Sequence, residues 1–366
     1  MPGIHRQRPG ADAMAAATDA PPVDLGGDVW MSPGWSNSYL LPTDEGRVVI
    51  NTGMGFEGPL HRRAYDAVDT SPVHSIILTQ GHYDHVGGID ALSDGRTEVV
   101  AQANFTTWRD DNERLETFRS RNSAFAFMDA ILAAMECARS VGVGMVPQAR
   151  PEPTVVVDAR LELTIGGRRL ELIATPGGET FDSMVVWLPE SRTLFSGNLF
   201  GPLFGHVPNL VTIRGDRYRD ALTYIDSIQL VADLAPERLI TGHFDPVVGA
   251  DLIAEETHAL QEAMRWVHDR TVEGMNAGTD VRAEPPVDLV WTPTLSRALT
   301  DNDAIQLSWM REFSERLARW VSLGVLDASW RPGPVRTRSR SGAQVVTSTG
   351  ELVPNGAARA VAVRMR

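Results

Sequence analysis

The sequence predicts a layered α/β fold, and three observations carry that expectation. Short β-branched runs alternate with segments of helical spacing up to residue 101, the pattern of a sheet covered by helices. A second group of apolar strand segments follows between residues 154 and 196. The polar residues able to bind a metal fall where strands end, not along helices.

Ordered structure is expected from about Val23. Residues 48–50 are a β-branched run closed by Asn51-Thr52-Gly53, a strand followed by a turn. Residues 60–68 carry helical spacing. Residues 75–79 are a second short strand that runs into Gln80-Gly81-His82-Tyr83-Asp84-His85, and residues 98–101 read as the next. Residues 104–145 read as one or two helices. Strands return at 154–157, 161–165, 170–174, 184–188 and 193–196. Residues 216–232 are helical, and 238–241 form a strand ending at Gly242-His243. Beyond Gly249 the pattern changes to two long amphipathic helices, 251–277 and 295–323, around a proline-containing connector at 285–293. The chain therefore divides into a disordered extension at 1–23, a main domain at 24–250, a helical segment at 251–330 and a tail or hairpin at 331–366.

A length of 366 residues suits one large α/β domain with an appendage. The formal charge of −13 argues against a nucleic-acid-binding surface, because phosphate neutralisation needs clustered Lys and Arg. An anionic substrate must instead be met by local cations. Cys137 is the single cysteine, so neither an internal disulfide nor a Cys-rich metal site can form. Its helical Ala/Met/Glu surroundings read as those of a small buried side chain. No run approaches eighteen apolar residues, so no membrane span is expected. Residues 1–23 lack the apolar core of a secretory signal, which makes the cytoplasm the expected location.

His82-Tyr83-Asp84-His85 is the strongest chemical signal. A loop at a strand end can aim several side chains at one point, and His with carboxylate suits zinc, iron or manganese. The Gly87-Gly88 pair is expected to let the chain turn away at once. Five motifs, "VVINTG", "ILTQGHYDHVGG", "ATPGGE", "LFSGN" and "LITGHFDPVVG", occur in this order. On them the chain resembles the metallo-β-lactamase superfamily. Its second half is similar to the alkylsulfatases, through "NLVTIRG" at 209–215, "YRDALTYID" after it, "VHDRTVEGMNAG" at 267–278 and "RLARWVSLGVLD" at 316–327.

The resemblance implies an αββα sandwich with a C-terminal helical appendage, and a site at one sheet edge for one or two divalent ions. Zinc is the first candidate, with iron or manganese as alternatives. One ion would be held by Asp84, His85 and His243, the other by His82 and Glu179 with position 80 as third ligand. In similar proteins position 80 is His, position 198 an acidic bridge and position 51 Asp. Here they are Gln80, Asn198 and Asn51. An amide oxygen is a weaker donor than imidazole or carboxylate. The first site is therefore expected to bind well and the second weakly.

Three further residues carry expectations. Arg214 is implied to clamp the anionic end of an ester, as a planar guanidinium can, with a structural salt bridge as the other reading. His206 reads either as a ligand or proton donor, or as a plain loop residue. Tyr83 reads as a substrate contact or as packing. The helical segment resembles a dimerisation element, which implies a homodimer, and a monomeric cap over the sheet is the alternative. The expected function is hydrolysis of an ester-like bond in a small molecule, sulfate esters included, by a metal-bound hydroxide. A lyase or oxidative metalloenzyme on the same fold, or a degenerate site that only binds a ligand, are the alternatives.

Overall fold

The computed structural model describes residues 13–140, 142–144, 146–177, 179–201, 217, 219–277 and three strands between 335 and 354. Arg214, His206, the 285–293 connector and the expected 295–323 helix lie outside the described residues.

The first sheet has seven strands in sequence order. They are β1 (Val23–Asp24), β2 (Trp30–Ser32), β3 (Ser38–Thr43), β4 (Gly46–Ile50), β5 (Val73–Ile77), β6 (Glu98–Gln102) and β7 (Val155–Val157). β1 to β4 pair antiparallel and β4 to β7 parallel. The parallel half needs crossovers. These are α1 (Gly58–Asp66), the short α2 (Tyr83–Val86) and α3 (Ile89–Leu92), then α4 (Phe105–Arg114) and α5 (Glu116–Ser140).

The second sheet contains β8 (Arg160–Ile165), β9 (Arg168–Ala174), β10 (Met184–Leu188), β11 (Thr193–Gly197), β12 (Arg238–Thr241) and β13 (Val247–Val248), again as neighbours in sequence order. Only β11 and β12 run parallel, and α6 (Ala221–Leu234) crosses between them. α6 begins later than the sequence spacing suggests, because the Asp220 carboxylate accepts the Thr223 N–H at 2.7 Å and caps the helix there. α7 (Ala250–Asn276) follows.

Strand periodicity produces the sandwich. Val48 and Ile50, Ile77, Val100, Met184, Val186, Phe195 and Ile240 meet in one cluster between the sheets. Their alternates Val49, Ile76 and Val99 face outwards to a cluster shared with Val86, Ile89 and Phe105. Val185, Leu194 and Leu239 do the same towards α6 and α7. Period-two alternation with both faces apolar requires a layer on each side, and the result is helices, sheet, sheet, helices. α7 buries Ile253, Leu260 and Met264 in the same cluster as Tyr224 and Ile228 of α6, so its apolar face caps the second sheet.

Two departures from the sequence reading concern segments near the site. Ala17, inside the stretch expected to be disordered, is buried and donates its N–H to Glu57 Oε1 at 2.9 Å. Gly87 and Gly88 have ordinary negative φ values. Glycine is required at 88 for close approach, since a Cβ there would strike the Thr52 carbonyl and come within 2.8 Å of Gly58 Cα. Residues 331–366 contain a three-stranded antiparallel meander, β14 (Val335–Thr337), β15 (Gln344–Val346) and β16 (Leu352–Pro354), in a compact unit spanning 305–366. Among the described residues no helix is long and apolar enough to cross a membrane.

Candidate metal centre

Parallel pairing brings four chain segments to one edge. Ile50 is opposite Ile77, and Gly197 opposite Thr241, so the segments after β4, β5, β11 and β12 leave the sheets side by side. The β9–β10 hairpin adds residues 175–183, and Met184 N–H donates to the Thr79 carbonyl at 2.9 Å, joining the two sheets at this edge. Asn51 adopts φ 57°, and its Oδ1 accepts both the N–H and the Oγ1–H of Thr79, at 3.0 and 3.1 Å. Asn51 therefore braces the loop that carries Gln80 to His85.

Asp84, His85 and His243 converge, with one ligand atom from each lying within 4.8 Å of the others. Asp84 Oδ2 is 3.5 Å from His85 Nε2 and 3.6 Å from His243 Nε2. The two imidazoles stand edge to face, 5.8 Å apart. His243 Nδ1 is 2.6 Å from the Trp35 carbonyl oxygen, to which it donates, leaving the Nε2 lone pair towards Asp84. Ser36 Oγ lies 3.3 Å from the His85 ring nitrogens and donates to the Gly242 carbonyl at 3.0 Å. Burial lowers the His85 pKa to about 4, so the ring is neutral at pH 7. Burial alone would raise Asp84. The imidazoles of His85, His243 and His82 outweigh it and hold the carboxyl below its usual range. A carboxylate, the neutral His85 imidazole and the His243 imidazole with its Nε2 towards that carboxylate are a divalent-cation donor set.

A second feature supports the fit. Asn198 Oδ1 is buried with no hydrogen-bond partner among the described residues. It and His85 Cε1 both crowd the point where a Gly242 Cβ would stand. A buried amide oxygen left over in this way needs a ligand or an ordered water.

His82 and Glu179 lie on the other side of the site. His82 Nδ1 is 3.7 Å from Glu179 Oε1 and 2.9 Å from Gln80 Nε2. The His82 ring meets Trp108 edge to face at 5.2 Å, and Gly81 fits only because it has no Cβ to strike that indole. Buried Arg219 places Nη2 3.5 Å from Glu179 Oε1 and donates from Nε to the Glu179 carbonyl at 2.7 Å. Tyr83 is half-buried against the outer cluster of the first sheet.

Sequence reading missed Arg219, Trp108 and Glu57. Arg219 stood inside "YRDALTYID" without a role. The others reach the site only through tertiary contacts.

An α/β/β/α sandwich with a carboxylate–imidazole cluster at one sheet edge defines a class of metal-binding proteins. A model described as the metallo-beta-lactamase superfamily matches residues 32–243, more than half of the chain, and the protein belongs to that superfamily. Within it the similarity is to alkylsulfatases. A linear primary-alkylsulfatase of a Pseudomonas species is 25% identical over 257 residues, covering 65% of this chain and 47% of the relative. The alkyl/aryl-sulfatase BDS1 of Saccharomyces cerevisiae is 24% identical over 260 residues, covering 66% and 40%. The structure of the stereoselective inverting sec-alkylsulfatase Pisa1 from Pseudomonas superposes with a TM-score of 0.62 at 21% identity, covering 76% of this chain and 47% of that one. The chain thus spans less than half the length of these relatives.

Proposed function

We propose that this protein is a metal-dependent hydrolase of an ester-like bond in a small molecule, with sulfate esters the first candidates. The observation that carries the reading is the convergence of Asp84, His85 and His243 with both imidazoles neutral or oriented for metal binding. The alkylsulfatase relatives supply the substrate class.

A divalent ion held there, zinc for preference, would supply Lewis acidity and bring the pKa of water towards ~7. The chain does the rest. Asp84 contributes the negative charge that retains the ion. The Trp35 carbonyl and Ser36 hold the two rings in place. Asn198 Oδ1 offers a neutral acceptor beside His85, able to orient the O–H of a water. Arg214 is proposed, on the resemblance, to bind the anionic end of the ester, with Tyr83 and His206 as further contacts.

Zinc-loaded protein offered alkyl sulfates, lactones and phosphoesters should release sulfate from at least one alkyl sulfate. No turnover of any of these by metal-loaded protein would defeat the reading, and substrate-dependent oxygen consumption would replace it with the oxidative one. The proposed homodimer rests on the resemblance. A single species of 40.0 kDa in sedimentation would remove it.

A further inference from the structure

This inference rests on the reading that Asp84, His85 and His243 hold a divalent ion. We propose that they hold the only ion of the site, because Gln80 and Arg219 close the position where the superfamily resemblance implies a second.

Gln80 is fully buried, and its Oε1 accepts the Asn198 backbone N–H at 3.2 Å. A backbone N–H can only donate, so that contact fixes which end of the amide is which. The amide NH2 therefore faces His82 Nδ1, at 2.9 Å. An amide nitrogen has no lone pair free for a cation, and the Nδ1 lone pair is engaged as its acceptor. Two of the three implied ligands are thereby bound to each other.

The third is matched as well. Glu179 faces the Arg219 guanidinium, and the Arg219 Nε contact to the Glu179 carbonyl anchors that guanidinium in place. Arg219 is itself buried, and its guanidinium is a cation. A second dication would sit against a fixed guanidinium and an amide NH2. With Asn198 neutral, no carboxylate among the described residues bridges the two positions. One dication with Arg219, against Asp84 and Glu179, leaves the site close to balance. A second dication would leave an excess of positive charge at a largely shielded site, which is costly.

The test is metal stoichiometry on the full chain, by elemental analysis after zinc loading and desalting, with cobalt(II) electron paramagnetic resonance beside it. Wild type is expected to hold one ion per chain and to give an uncoupled cobalt signal. Gln80→His removes the amide NH2, releases His82 Nδ1 and adds an imidazole, so the ratio should move from one towards two. Gln80→Glu, which also cannot donate to His82, is the second variant should the first fail to fold. Two ions in wild type, or a coupled cobalt pair, overturn the proposal. A ratio that stays at one in both variants overturns the role of Gln80. No bound ion in wild type is a different result, and it removes the metalloenzyme reading itself.

Discussion

His243 Nδ1 donates to the carbonyl oxygen of Trp35 across 2.6 Å, and the Trp35 N–H donates to Glu57 Oε1 across 2.7 Å. One residue of backbone thus links the imidazole of a proposed ligand to a fully buried carboxyl group. Glu57 also accepts the N–H of Ala17 at 2.9 Å and of Met54 at 2.8 Å. It ties the 33–37 loop, the N-terminal segment and the start of α1 together beneath the site.

Glu57→Ala should therefore act in two ways. It leaves three N–H groups, that of Ala17 buried and those of Trp35 and Met54 partly buried, without their acceptor, at ~1–3 kcal/mol each where no water enters, so urea unfolding should report a loss of about 3 kcal/mol. It also frees the Trp35 backbone that orients His243, and zinc affinity measured by chelator competition should fall ~10-fold or more, as for other losses in the outer ligand shell. A variant destabilised by that much with unchanged zinc affinity would show that Glu57 supports the fold alone.

His85→Ala removes one of the three proposed protein ligands outright. Zinc binding should weaken by more than ~100-fold, beyond the range of outer-shell changes, and turnover should vanish. The melting temperature of the metal-free form should fall less than that of the zinc-loaded form, because stabilisation by the ion is lost with the site. Retained metal in this variant would mean that the centre lies elsewhere.

Gly242→Ala tests the crowding around Asn198. The added methyl group would overlap Asn198 Oδ1 and stand 2.7 Å from His85 Cε1. Overpacking of this kind costs ~1–3 kcal/mol, and here it would push the Asn198 oxygen or the His85 ring off position. Zinc affinity should drop together with stability. An unchanged affinity would show that Asn198 Oδ1 does not face the ion.

Much of this was readable from residue order. The His82–His85 motif stood out at a strand end, and the family resemblance added His243 to it; the parallel pairing of β4 with β5 and of β11 with β12 aligns the ends of those strands. The layered α/β class followed from the alternation of strand and helix segments, and the sandwich from the family resemblance. Gln80 was readable as a lost imidazole, but which end of its amide faces His82 depends on the Asn198 backbone, 118 residues away. Glu57 carried no signal, since its partners are backbone groups with no sequence signature. Ala17 was hidden for a related reason: its burial depends on a contact 40 residues distant, and an Ala-rich stretch looks the same packed or loose.

Stability against pH offers a test that does not involve turnover. Burial raises Glu57 and Asp182 to about 7, and lowers His61 to about 3 and His85 to about 4. The two carboxyls contribute stability that is fully present below their unfolded values of 4.5 and 3.8 and is lost as pH rises to about 7. The two histidines contribute stability that is fully present above 6.5 and is lost as pH falls through about 4 and about 3. Between pH 4.5 and 6.5 these opposed slopes, each ~1.4 kcal/mol per pH unit, cancel, and metal-free wild type should show a flat unfolding free energy. Asp182 lies against Gly81 and is not one of the converging residues Asp84, His85 and His243, so Asp182→Asn removes one falling slope and keeps those three side chains. Its stability should rise with pH by about 1.4 kcal/mol per unit in that window. His61, whose ring is buried with Nδ1 2.7 Å from Ser32 Oγ, supplies the mirror image. Stability of His61→Asn should fall with pH by a similar amount. Urea titrations of the chelated proteins at several pH values measure both, and slopes of the same sign in the two variants would show that these groups do not titrate as their burial requires.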